Sequence, residues 1–131
     1  MSEAVIAAAV IVSKGTVLLI RRRTAEGELS WQFPAGKVEP GATPADAAVR
    51  EAHEEVDLVV AIVDQLGERV HPITGRTIAY FACQVVAGSA RAADVAEVAD
   101  VQWCDRAELQ RLVPYPLHGP VEAYLDERLP A

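Results

Sequence analysis

Hydrophobic positions change period several times along the chain, and each change marks an element. Ala4–Val12 is an unbroken apolar run. It is too short to span a bilayer, which needs about 20 residues, and lacks the preceding basic residues of a secretory signal. It reads as a buried strand. Ser13-Lys14-Gly15 is a turn cluster, and the β-branched and aliphatic run Thr16–Arg23 completes a hairpin. Polar Thr24–Ser30 reads as a loop, and Trp31-Gln32-Phe33 as a short strand stopped by Pro34. Pro34–Gly41 is a Gly/Pro loop. Thr43, Pro44 and Asp46 then form an N-cap, first-turn proline and acid series that starts a helix running to about Val56. Leu58–Val70 and Thr77–Ala87 read as strands joined through the turn His71-Pro72-Ile73-Thr74-Gly75, and Val98–Cys104 as another. Asp105 with Glu108 repeats the cap-plus-acid pattern before a helix over Arg106–Val113, and Pro120–Leu129 fits a last helix. Strands, helix, strands, helix is the order of a mixed α+β sandwich, not of repeated βαβ units.

Composition adds limits. At 131 residues the chain fits a single domain. The formal net charge of −7 argues against long nucleic acid or an anionic membrane as a partner, since both need clustered Lys and Arg. Cys83 and Cys104 are the only cysteines and form no Cys-x-x-Cys pair, which fits buried thiols in a cytoplasmic protein.

The charge is unevenly spread. Between Gly36 and Leu58 stand Glu39, Asp46, Glu51, Glu54, Glu55 and Asp57 against Lys37 and Arg50 alone, more than half of the deficit. Glu51, Glu54 and Glu55 lie at i, i+3 and i+4, on one helix face, where like charges repel. They sit toward the helix C-terminus, where the dipole disfavours them further. A solvated acidic face is one reading. Hard oxygen ligands beside a tight loop, suited to Mg²⁺ or Mn²⁺, are the other, and a divalent ion would remove the repulsion.

The same residues resemble a family signature. GKVEPGATPADAAVREAHEEVDL is similar to the Nudix box, G-x5-E-x7-R-E-U-x-E-E-x-G-U with U a bulky aliphatic residue. Gly36, Arg50, Glu51, Glu54, Glu55 and Leu58 match in register. Ala42 stands where a Glu is expected, Ala52 is small for U, and Asp57 replaces the Gly. The likeness extends to the Trp-Gln-Phe-Pro-Ala-Gly lead-in and is greatest to MutT-like members. It implies one α/β/α sandwich domain with a mixed sheet over residues 1–131, the box spanning 36–58.

The resemblance also implies an activity: Mg²⁺-dependent hydrolysis of a nucleoside diphosphate linked to a group X. In MutT-like relatives X makes the substrate a (deoxy)nucleoside triphosphate or its oxidised form, cleaved to the monophosphate and pyrophosphate. ADP-ribose, dinucleoside polyphosphates and capped RNA are the alternative substrates, and a nucleotide-binding module without turnover is the alternative function. Carried over by position, Glu51, Glu54 and Glu55 ligate metal with the Gly36 carbonyl, Glu51 or Glu55 also deprotonating water. Arg50 orients a glutamate through a forked bond, with Glu39 or Asp46 replacing its partner lost at Ala42. Glu97, six residues before Trp103, reaches the metals or serves as base. Arg22, placed by alternation opposite Arg21 and Arg23, faces the phosphates. Phe33 packs in the core or lines a base pocket. His71 is a turn residue or a substrate contact, and Tyr115 and His118, in the Pro-rich connector, touch the base. The partner is a small nucleotide; monomer and homodimer both remain open.

Overall fold

The computed structural model describes residues 4–26 and 29–130. Strand β1 (Ile6–Ser13) is central because both of its faces are apolar. Ala7, Ala9 and Ile11 enter one core; Ile6, Ala8 and Val10 enter another on the opposite face. This period of two, with neither face solvated, is why the run carries no polar residue.

The turn at Lys14 and Gly15, both at positive φ, leads into β2 (Thr16–Glu26). β2 pairs with β1 only at Val12↔Val17 and Ser13↔Thr16. Beyond that point β2 pairs instead with β3 (Leu29–Gln32), while β7 (Val98–Cys104) runs along its other edge from Val17↔Cys104 to Arg22↔Val98. β4 (Ala35–Lys37) takes the place beside β1, with Ala7↔Gly36 in register. On its other side β1 runs parallel to β6 (Thr77–Ala87), which pairs with the edge strand β5 (Val59–Val70). The sheet is mixed and seven-stranded, in the order β3-β2-β1-β6-β5 with β4 and β7 branching from it.

Helix α1 (Pro44–Val56) covers one face through Ala47, Ala48, Ala52 and Val56, all fully buried. Burying Val56 is worth about 1.5–3 kcal/mol, and the alanines let the helix lie close to the strands. Helices α2 (Arg106–Leu112) and α3 (Gly119–Arg128) cover the other face through Leu109, Val121 and Leu125. The result is an α+β, α/β/α sandwich in one domain.

Both helix starts behave as the sequence expects. Thr43 Oγ1 accepts from the Asp46 N–H at 3.1 Å, with Pro44 in the first turn. Asp105 and Glu108 form a reciprocal capping box. Two expectations are corrected. Thr24–Ser30 is not a plain loop: β2 continues to Glu26 and β3 begins at Leu29, because the Glu26↔Leu29 pair holds this polar segment extended. Within the Gly/Pro stretch, Ala35–Lys37 forms β4, held by its pairing to β1 rather than by any β-propensity of its own. No helix among the described residues is long and apolar enough to cross a membrane.

Candidate active site

The parting of β1 and β2 opens a cavity of about 490 Å³. One end is lined by Arg22, Glu51, Glu54, Glu55, Arg50 and Glu97. The other end is lined by Phe33, Ile78, Tyr80, Val113, Tyr115 and Leu117, with Arg69 and Arg76 among them.

At the acidic end, α1 supplies the carboxylates and β2 and β4 meet them. Glu51 lies against the backbone of Gly36: a Cβ built on that glycine would fall 2.2–2.6 Å from the Glu51 carboxylate atoms. Glycine is required here for close approach, not for an unusual φ. Arg50 Nη2 donates to Glu51 Oε1 and to the Lys37 carbonyl, each at 3.0 Å, fastening α1 to β4. Its Nη1 lies 3.4 Å from Glu39 Oε2 and its Nε 3.8 Å from Glu54 Oε1. Hydrogen bonding to Glu51 raises the Arg50 pKa against a smaller desolvation cost. Of the two acids considered for the place left by Ala42, Glu39 is the one beside Arg50, together with the Lys37 carbonyl; among the described residues Arg50 forms no ion pair with Asp46.

Glu55 has a different environment. It is 3% exposed; its Oε1 accepts from the Ala35 N–H at 2.9 Å and its Oε2 from Arg22 Nη1 at 2.5 Å. Arg22 Nη2 donates to the Ala35 carbonyl at 2.7 Å. The Gln32 side-chain oxygen, turned toward the guanidinium, accepts from Arg22 Nε and Nη2 at 2.9 Å. Desolvation pushes the Glu55 pKa up to about 7, and Arg22 opposes that rise. Arg21 and Arg23 are exposed, so the alternation that turns Arg22 inward is as expected.

The C-terminus of α1 closes on Asp57, at φ 61° and ψ 36°, whose N–H bonds back to Ala52 and His53. The Leu58 N–H reaches the Ala52 carbonyl at 3.4 Å, the pattern that ends many helices at a glycine. Asp fills the place because it tolerates the left-handed region better than most residues. The N–H groups of Arg91 and Ala93 cap the Val56 and Glu55 carbonyls at 3.1 and 3.0 Å. That docking carries Asp94 and Glu97 to the mouth of the cavity, where both line it.

Most of the expected residues therefore surround one cavity: Arg22, Phe33, Gly36, Arg50, Glu51, Glu54, Glu55, Glu97 and Tyr115. Two histidines stand behind its wall. His71 is 5% exposed, its Nδ1 accepts from the Ile73 and Thr74 N–H groups, and its ring packs edge-on against Tyr115. Those bonds are the ones a turn residue would make. His118 stacks on Tyr80, with ring centroids 5.6 Å apart, rather than facing the cavity. Residues missed from sequence include Lys37, Arg69, Tyr80 and Asp94, which line the cavity from separate strands and loops with no shared spacing.

Hard oxygen donors are the right chemistry for Mg²⁺ or Mn²⁺, and the Gly36 cradle brings the Glu51 carboxylate against backbone at the same place. Among the described residues, however, no three acidic, His or Cys groups converge on one point. Glu51 and Glu54 share Arg50, while Glu55 turns to Arg22. The two arginines counter the carboxylate charge.

Residues 2–125 match the NUDIX domain family. The chain belongs to that family. A Mycobacterium tuberculosis protein provisionally named 8-oxo-dGTP diphosphatase 2 is 30% identical over 116 residues, spanning 79% of this chain and 81% of that protein. The Escherichia coli CTP pyrophosphohydrolase is 31% identical over 74 residues, 56% of this chain and 55% of that one. The crystal structure of a NUDIX hydrolase from Nitrosomonas europaea superposes with a TM-score of 0.80 at 24% identity, covering all of this chain and 76% of that chain, a likeness of fold. The protein is thus a Nudix hydrolase, acting on the acid anhydride of a nucleoside diphosphate linked to another group. Nudix proteins typically use a divalent metal and act on small nucleotides.

Proposed function

We propose that this Nudix hydrolase cleaves a nucleoside triphosphate, or its oxidised form, to the monophosphate and pyrophosphate. The observation that carries the reading is the two-ended cavity. Its aromatic and aliphatic end suits a base, and its carboxylates and arginines suit a polyphosphate. The name of the Mycobacterium relative points the same way.

Glu51, Glu54 and Glu55, with the Gly36 carbonyl and Glu97, are the oxygen donors that would hold Mg²⁺ or Mn²⁺. Such an ion, when bound, neutralises phosphate charge and lowers the pKa of a coordinated water. Arg22 lies beside Glu55 and supplies positive charge at the phosphate end. Arg50 fixes the Glu51 carboxylate against β4 through its bond to the Lys37 carbonyl. Glu55, poised near neutrality by burial, has the proton affinity that suits a base accepting a proton from water at pH 7. Glu51 is the other candidate for that step. Phe33 and Tyr115 enclose the base. A cytoplasmic nucleotide pool is the setting this chemistry fits.

The test is a panel of (d)NTPs, oxidised (d)NTPs, ADP-ribose, dinucleoside polyphosphates and capped RNA, incubated with and without Mg²⁺. Release of pyrophosphate from the triphosphates, only with the metal, is expected. Faster turnover of another diphosphate would replace the proposed substrate. Binding without turnover of any would make the protein a nucleotide-binding module.

A further inference from the structure

The apolar end of the cavity carries a cation whose hydrogen bonds do not use up its donors. Arg69, on β5, lines the cavity beside Tyr80 and Leu117. Its Nε donates to the Tyr80 hydroxyl at 3.3 Å and its Nη1 to the Pro116 carbonyl at 2.8 Å. A guanidinium offers five N–H donors in one rigid plane and cannot be neutralised by losing a proton. Two bonds leave three donors, and among the described residues no carboxylate pairs with Arg69.

The anchors themselves are fixed. Tyr80 is 4% exposed, meets Phe33 edge-on with ring centroids 6.3 Å apart, and stacks on His118. Its hydroxyl therefore holds one side of the guanidinium, and the connector between α2 and α3 holds another through Pro116. The plane is set before a ligand arrives, so little entropy is lost when the remaining donors bind.

We propose that Arg69 is the base-reading residue of this cavity, selecting nucleotides whose base turns a carbonyl toward it. This rests on the nucleotide reading above. A guanidinium fork can donate to a ring nitrogen and to the carbonyl oxygen beside it, whereas adenine offers the ring nitrogen but sets its exocyclic amino group, itself a donor, against the second N–H.

Inosine and adenosine monophosphates differ at that position, and their metal-free binding to the whole protein can be measured by calorimetry, independently of turnover. Wild type should bind IMP about 5- to 150-fold more tightly than AMP. Arg69→Met should bring the ratio near one by weakening IMP alone, and Arg69→Lys, which keeps charge but loses the fork, should fall between. If Arg69→Met does not fold, Tyr80→Phe releases the Nε anchor and should cut the ratio severalfold. Absence of discrimination in wild type, failure of both nucleotides to bind, an unchanged ratio in Arg69→Met, or equal weakening of both nucleotides would overturn the proposal. Equal weakening would make Arg69 only a brace for the connector. Arg69-dependent discrimination without triphosphate turnover would uphold it and overturn the proposed function instead.

Discussion

The two ends of the cavity are built in opposite ways. The acidic end is mostly local: three carboxylates and an arginine come from α1 and the nearby strand β4 supplies Gly36 and Lys37, with Arg22 and Glu97 joining from farther along the chain. The other end is assembled across the chain, Arg69 reaching Pro116 over a separation of 47 residues and Tyr80 stacking on His118. Charge differs as well. The acidic end carries groups that repel unless countered, and arginines counter them. The far end is mostly apolar, with the guanidinium groups of Arg69 and Arg76 among its lining. Local construction keeps the chemistry intact wherever the helix forms, while distributed construction lets the specificity of a cavity change one strand at a time.

The largest break in this contrast is expected at Glu54. Its side chain is 54% exposed and its Arg50 contact is long, at 3.8 Å, so the fold gains little from it. Glu54→Gln should lower kcat by roughly two to three orders of magnitude, in the range seen when one charge-stabilising group is removed, with Tm nearly unchanged. Steady-state kinetics with Mg²⁺ beside thermal melting separates the two. Activity within tenfold of wild type would remove Glu54 from the metal-binding set.

Glu55 sharpens the comparison from the side of stability. Burial raises its folded pKa from 4.5 to about 7. A raised acid binds a proton more tightly in the folded state, so its contribution is fully present below about pH 4.5 and is lost as pH rises through 7. The metal-free protein should therefore lose about 1–3 kcal/mol from this group between those limits. Glu55→Gln, which keeps an acceptor for the Ala35 N–H, should flatten that slope. Denaturant melts at several pH values, with chelator present, measure it. An equal slope in both proteins would mean that Arg22 holds Glu55 ionised throughout.

The same contrast explains what could be read from sequence. The start of α1 was legible because Thr43, Pro44 and Asp46 act within one turn. The inward Arg22 was legible because strand alternation is strict over three residues. Asp57 was legible only as the residue in the glycine place of the signature, and its positive φ came from the structure. β4 was not, since Ala35–Lys37 becomes a strand only through β1. Arg69 and Tyr80 were not, because β5 and β6 pair with repeated register shifts that spoil any fixed spacing. His71 and His118 were visible as residue types, yet type alone does not say which side of a cavity wall a ring occupies.

The smallest expected effect concerns the substitution at Ala42. Glu39 is the acid that reaches Arg50 in its place, but at 3.4 Å and with a side chain 70% exposed. An exposed pair of this kind is worth about 0.2–1 kcal/mol and is screened by salt. The two bonds of 3.0 Å, to Lys37 and Glu51, carry the clasp. Glu39→Gln should then change kcat/KM by less than about fivefold, with the difference shrinking as salt rises. A backbone carbonyl would in that case have taken over most of what an acid does elsewhere in this signature. A salt-independent loss of tenfold or more would instead make Glu39 the true replacement and return the clasp to a carboxylate–arginine pair.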